Sequence, residues 1–200
     1  NELGELKKIL KNLGIYYYEC NGEADIYMKS FSQKKLLDYV ITEDMDFLTH
    51  GCENILYNYN YTFNKLKLYN LNQILNDLGM SYKSFVDFCI MLGCDYSCKI
   101  PGFGPKTGYK LIKEYKSYEE LKEKKQIKIP EEFKYEESLK MFIEGPEIIN
   151  EKKLLKLQKN NINKKELEEM NLNMRIIEKI ILKIQNIKYE FNILDFLHNK

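Results

Sequence analysis

Asp38-Tyr39-Val40-Ile41-Thr42-Glu43-Asp44-Met45-Asp46-Phe47-Leu48 is the stretch that decides how this 200-residue chain is read. It opens on a short apolar run with the pattern of a buried strand, passes into carboxylates, and at once becomes apolar again. Acids at a buried strand end are costly unless something positive sits beside them, because charge is poorly solvated in low dielectric. In open α/β sheets, ligands gather at the carboxyl ends of the strands, where Asp44 and Asp46 emerge. Two residues apart in extended chain, the two side chains point the same way. A hard divalent cation that prefers oxygen would relieve their repulsion. An Asp-rich turn accounts for the same residues without a ligand, so the neighbouring segments must separate the two readings.

Toward the N-terminus, Leu3, Leu6, Leu10 and Leu13 recur at helical spacing, and Gly14 ends that helix. Ile15 to Tyr18 reads as a short strand. Asn21 is placed to cap a helix that begins near Gly22, with Glu23 and Asp25 in its first turn. Acids there also complement the helix dipole, which explains either one alone. Strand, helix and the strand around Tyr39 to Thr42 then make a βαβ unit, hence a parallel sheet that delivers both sets of acids to one edge. Toward the C-terminus, Ile55 to Tyr59 and Thr62 to Tyr69 read as strands, and Leu71 to Leu78 and Ser81 to Leu92 as helices. Asp87 interrupts the apolar face of the second helix.

Next comes Gly93-Cys94-Asp95-Tyr96, then Lys99-Ile100-Pro101-Gly102-Phe103-Gly104-Pro105-Lys106. Gly102 and Gly104 permit a tight turn and Pro105 suits the first helical position. The helix that follows carries Lys106, Lys110 and Lys113 near one face. Backbone amides at such a helix start form an anion site, although a Gly-x-Gly before a helix is by itself more often a plain turn. Ser117-Tyr118-Glu119-Glu120 reads as a capping box. Beyond a Lys-rich connector containing Pro130, helices are expected over Tyr135 to Ile143, Glu151 to Lys159, Lys164 to Met170 and Met174 to Ile187.

The composition, 44% hydrophobic and 30% charged, is that of an ordinary globular protein. No apolar run is long enough to span a bilayer and no signal peptide precedes the first helix, so no membrane partner is expected. Five cysteines form no paired CxxC set, which favours free thiols in a reducing compartment over disulfides or zinc. The formal net charge is only +1, but it is unevenly placed. Glu19 to Asp46 holds seven acids and three lysines, whereas Lys99 to Lys125 holds eight lysines and four glutamates. An acidic pocket beside a basic strip suits metal chemistry on a polyanion. Arg175 is the only arginine, so the choice of Lys at any one position says little.

Glu23, Asp25, Asp44, Asp46 and Asp95, collected at the end of a parallel sheet, read as a divalent metal site. Oxygen-only ligands favour Mg²⁺ or Mn²⁺ over zinc. Two such ions, roughly 3.5–4 Å apart, polarise a phosphodiester and generate a hydroxide nucleophile. Glu23-Ala24-Asp25, the block Thr42 to Gly51, and Phe85 through Lys106 resemble the flap endonucleases of the XPG-type 5′ nuclease family. Asp25 stands where that family usually has Glu, and the family's helix–two-turn–helix maps onto Ile100 to Tyr115. The resemblance is strong from about Leu6 to Leu121.

The resemblance implies an α/β fold, part of a PIN-like parallel-sheet nuclease domain with a helical C-terminal region. It divides the chain into an internal part of the nuclease domain (1–95), the helix–two-turn–helix (96–125), a helical region (126–187) and a tail (188–200). It implies a structure-specific 5′ nuclease acting on branched or flap DNA, with Glu23 and Asp25 helping to bind one ion and Asp44, Asp46 and Asp95 the other. Gly93 would approach the substrate backbone, Glu23 and Asp95 would also contact the DNA, and Gly102, Gly104, Lys106 and Lys110 would hold the duplex. A K⁺ ion would assist at that loop, where Lys99 replaces a common Ser. The family's N-terminal half, with further metal ligands and the helical arch, would be a required partner. Glu190, Ile193, Phe196 and Leu197 are similar to a sliding-clamp-binding peptide, although a disordered tail or a last helical turn packed on the body fits the same residues. The expected location is intracellular, in the nucleus or at another site of DNA replication. A 5′ exonuclease of the same family and a DNA-binding fragment without catalysis are the alternatives.

Overall fold

The computed structural model describes residues 2–15, 17–60, 65–144 and 162–190. In chain order the elements are α1 (Glu2–Asn12), α2 (Ala24–Gln33), β1 (Val40–Ile41), α3 (Asp46–Thr49), β2 (Asn54–Asn60), β3 (Lys65–Asn70), α4 (Leu71–Leu78), α5 (Tyr82–Leu92), α6 (Pro105–Tyr115), α7 (Tyr118–Glu123) and α8 (Tyr135–Ile143), then α9 (Lys164–Glu169) and α10 (Met174–Glu190). They fall into two compact units, residues 1–19 with 150–200, and residues 20–149. No helix among the described residues is long and apolar enough to cross a membrane.

The first unit is helical. Leu13, Leu167 and Ile177 are buried together, with Ile9, Ile15 and Ile180 packed around them. The expected strand over Ile15 to Tyr18 is absent: Ile15, Tyr17 and Tyr18 have no regular structure. The reason is competition for Ile15. Its amide closes the end of α1 on the Leu10 carbonyl and its side chain joins the helical core, while Tyr17 and Tyr18 remain exposed. The expected βαβ crossover through α2 therefore does not form.

In the second unit the sheet has three strands in the order β1-β2-β3. β1 pairs with β2 in parallel, so the parallel crossover runs through α3, one element later than expected. β3 returns antiparallel on the other side of β2, which makes the sheet mixed. Val40, Ile55, Phe47 and Leu48 are buried beneath it with Leu71 and Phe85. Burial of each large apolar side chain contributes about 1.5–3 kcal/mol.

Local signals set most helix limits. The Asn70 side chain accepts from the Gln73 amide at the start of α4, and Gly79 ends that helix with φ +59°. Ser81 accepts from Ser84 before α5, and Ser117 from Glu120 before α7. Such caps are worth about 1 kcal/mol each. The N-cap of α2, however, is Glu23 rather than Asn21, whose backbone pairs with the Tyr27 hydroxyl. The segments 151–159 and 191–200, with Ile193, Phe196 and Leu197, lie outside the described residues.

α5 is the pillar of this unit. Phe85 faces the core under the sheet, and Val86, Ile90 and Met91 face a second core with Ile100, Phe103 and Ile112. Asp87, fully buried on α5, explains its place in an apolar face. It accepts from Lys83 Nζ at 2.8 Å, the Tyr135 hydroxyl at 2.7 Å and the Tyr118 amide at 3.1 Å, joining α5 to α7 and α8. A buried carboxylate with this many donors is compensated, and removal of its partners would expose the full desolvation cost.

Candidate functional site

Three segments of the second unit bring the predicted acids into one neighbourhood. Glu23 and Asp25 open α2. Asp44 and Asp46 follow β1, but the chain between them is not extended as expected. Asp46 is the first residue of α3, and its amide donates to Asp44 Oδ1 at 2.8 Å. The Asp44 amide in turn donates to Thr42 Oγ1. Asp44 thus makes an Asx-type turn, with its side chain accepting from the amide two residues on. Asp95 sits beyond α5 in a tight turn closed by paired bonds between Cys94 and Ser97. Gly93 enters that turn at φ +97°, a conformation that L side chains rarely adopt, with Lys99 close against it.

Burial and the surrounding negative charge act together on Asp46 and Asp25. Burial, then Asp44, Asp95 and Asp25, push the Asp46 carboxyl up to about 6. Burial, then Asp44, Glu23 and Asp95, raise Asp25. Burial followed by four of these acids also raises the Tyr96 hydroxyl. Yet among the described residues no three such side chains converge closely enough to hold an ion. The donor chemistry fits a hard divalent cation, while the carboxylates are gathered into coulombic range rather than closed on one point.

Beneath the acids lies a layer that sequence reasoning missed. Lys29, four residues after Asp25, has the spacing of a solvent-facing ion pair on a helix. Instead it is buried, and its ammonium donates to the Phe142 carbonyl at 2.7 Å and to that of Ile143, at the end of α8. His50 packs at a tilt against Phe142 with ring centroids 4.8 Å apart, and Tyr96 meets the same ring edge-on. Burial, then the Lys29 charge, lower the His50 imidazole to about 4, against the opposing pull of Asp44. His50 Nδ1 is the one buried side-chain polar atom with no hydrogen-bond partner among the described residues. Burial pushes the Cys52 and Cys89 thiols up to about 11, so neither is poised as a thiolate.

The loop before α6 has the expected form. Gly102 takes φ +78°, and Pro105 is at the first helical position. Gly104 lies at φ −97°, and a Cβ there would meet nothing within 4 Å. Lys106 and Lys110 are exposed one turn apart. Lys113 is not part of that free face: its Nζ donates to the carbonyls of Leu78 and Gly79 at 3.2 and 2.9 Å.

The chain is similar to known proteins over most of its length. Residues 14–95 match the XPG I-region. Flap endonuclease 1 of Entamoeba histolytica is 34% identical over 193 residues, which are 92% of this chain and 51% of that protein. The flap endonuclease-1 from Methanococcus jannaschii has a similar structure, with a TM-score of 0.70 at 25% identity over 92% of this chain and 57% of its own. The Holliday junction-resolving enzyme GEN1, in complex with product DNA, Mg²⁺ and Mn²⁺, shares the fold at a TM-score of 0.61 and 18% identity, over 80% of this chain and 47% of its own. The chain spans about half the length of the Entamoeba relative it matches. Over the part of their length that it spans, the chain is similar to the flap endonucleases, and residues 14–95 carry the XPG I-region.

Proposed function

We propose that this chain supplies metal-binding and DNA-binding residues of a structure-specific 5′ flap endonuclease that hydrolyses phosphodiesters at branched junctions during replication and repair. The observation that carries this reading is the electrostatic clustering of Glu23, Asp25, Asp44, Asp46 and Asp95 from three separate segments. These carboxylates would hold Mg²⁺, or Mn²⁺ in its place. When bound, two such ions polarise the phosphodiester and supply a hydroxide near neutral pH. The presence of both metals and DNA in the GEN1 complex supports the assignment.

The chain's own part is binding and orientation. The first amides of α6 and the exposed Lys106 and Lys110 engage duplex phosphates, while Gly102 and Gly104 keep side chains out of the way. K⁺ at this loop is part of the proposal, supported by a GEN1 structure with potassium. So are a complementary half of the nuclease, a sliding clamp bound through Ile193, Phe196 and Leu197, and a location at nuclear or other DNA replication sites.

A second reading, a DNA-binding fragment that is catalytically incomplete, is favoured by the lack of convergence of three acids among the described residues. Cleavage of a labelled 5′-flap duplex separates the two. With Mg²⁺ and the remaining portion of a flap endonuclease supplied in trans, cleavage is expected for the wild type and lost in Asp44→Asn/Asp46→Asn, with duplex affinity retained. Duplex binding without any cleavage supports the second reading instead.

A further inference from the structure

We propose that Phe142 and Lys29 are positioning residues: they set the spacing of Glu23, Asp25, Asp46 and Asp95, although neither can bind the metal those acids would hold. The inference rests on the metal reading proposed above and deepens it. It begins with how little each acid-bearing segment can do alone. Glu23 and Asp25 open α2, whose N-cap makes no side-chain hydrogen bond to the helix. Asp44 follows a strand of two residues, and Asp46 opens a helix of four. Asp95 sits in the tight turn after α5. Carboxylates gathered into coulombic range repel, so in the metal-free molecule their spacing has to be held by other groups.

One residue of α8 connects to all three segments. Phe142 is fully buried. Its ring packs at a tilt against His50, and the His50 amide donates to the Asp46 carbonyl at 2.8 Å across the single turn of α3. Tyr96, the residue after Asp95, meets the Phe142 ring edge-on with centroids 5.3 Å apart. The His50 and Tyr96 rings also meet each other, at 6.5 Å. Edge-on and tilted ring pairs are directional contacts, so they fix orientation as well as burying area. The third connection runs through the backbone. From the middle of α2, the Lys29 ammonium donates to the carbonyls of Phe142 and Ile143.

The tie between α2 and α8 depends on Lys29, because a cleft of about 380 Å³ lies between the start of one helix and the end of the other. Glu23, Ile26 and Tyr27 line it from α2, and Lys140, Met141 and Glu144 from α8. A buried ammonium is tolerated only where acceptors replace its water. The last carbonyls of a helix have no partner within it, so each side of this contact satisfies the other. Groups that hold metal ligands in place change metal affinity by about 10–100-fold when they are removed. Phe142 and Lys29 meet that description without supplying an oxygen to the site.

The test uses the full chain. Lys29→Met keeps most of the side chain and loses the cation, and Phe142→Leu stays apolar and loses both ring contacts. Leu121→Ala, at a fully buried residue of α7, loosens the same unit from a helix that carries none of the acids. Calorimetric titration with Mn²⁺, well below the melting temperature of each protein, is expected to show affinity about tenfold lower in both positioning variants and unchanged in Leu121→Ala. Amide NMR of the metal-free proteins is the second readout. Lys29→Met should displace the signals of Asp46 and Asp95 as well as that of Asp25, although Lys29 lies on α2 and bonds to α8. Unchanged Mn²⁺ affinity in both variants overturns the proposal, as do Asp46 and Asp95 signals that stay in place in Lys29→Met. An equal loss of affinity in Leu121→Ala also overturns it, because general loosening then accounts for the effect. Should Phe142→Leu fail to fold, Lys29→Met carries both readouts. A wild type that binds no Mn²⁺, with the amide signals still moving together in Lys29→Met, refutes the metal reading and leaves the positioning of the acids standing.

Discussion

Replacing Asp46 with Asn should stabilise the metal-free protein at neutral pH and make it less responsive to metal. The carboxyl, ordinarily near 3.8, is raised to about 6 by burial and by the neighbouring charges of Asp44, Asp95 and Asp25. A shift of that size is worth roughly 3 kcal/mol at full effect. Because the group is only partly buried, solvent screening reduces this to about 1–2 kcal/mol. The sign follows from proton binding. Between the unfolded and folded values the native state holds more protons, so stability is fully present below pH 3.8 and lost as pH rises through about 6. Asn removes that loss. In a thermal melt with chelator at pH 7, Asp46→Asn is expected to unfold roughly 2–8 °C above the wild type for a chain of this size. At pH 4 the gain should vanish. Saturating Mn²⁺ should reverse the order, since a ligand bound only by the native state stabilises by about 2.7 kcal/mol at a hundredfold excess over Kd. Equal melting of the two proteins at pH 7, or a gain that persists at pH 4, refutes the electrostatic account.

Lys106→Ala combined with Lys110→Ala should lower the slope of duplex affinity against log salt by roughly 2, since each phosphate contact contributes about 0.9. Lys113→Ala should leave that slope unchanged and cost about 1–2 kcal/mol in urea unfolding, because its ammonium serves the end of α4. Gly104→Ala should fold and melt like the wild type, as its Cβ meets nothing, yet bind duplex several-fold more weakly; unchanged binding would remove this loop from the interface. Tyr135→Phe removes the hydroxyl shared by Lys83, Asp87 and Glu119 and should cost about 1–3 kcal/mol, measured by chemical denaturation.

What could be read from sequence was local. Asn70, Ser81, Pro105 and Ser117 each act within one turn, so the starts of α4 to α7 follow from nearest neighbours. The five acids stand out in the sequence because their spacing resembles a family pattern, and the fold brings them within electrostatic range of Asp25 and Asp46. Ile15 was misassigned because a strand is defined by its partner, and α9 and α10, which share its core, lie about 150 residues away. Asp87 and Tyr135 are 48 residues apart, and Lys29 and Phe142 are 113 apart. No periodicity announces such pairs. Lys113 shares a helical face with Lys106 and Lys110, and only the position of the Gly79 turn reveals that its charge is already engaged.

The Lys29 contact has a consequence for how the molecule opens. Its ammonium fastens the middle of α2 to the last carbonyls of α8, and His50 lies against the same phenylalanine from the end of α3. Neither helix can fray independently at that point without stranding a buried cation. α2 and the C-terminal turn of α8 are therefore expected to exchange their amide protons with solvent as a single cooperative unit in hydrogen-exchange measurements, with the turn bearing Glu23 and Asp25 opening in the same event.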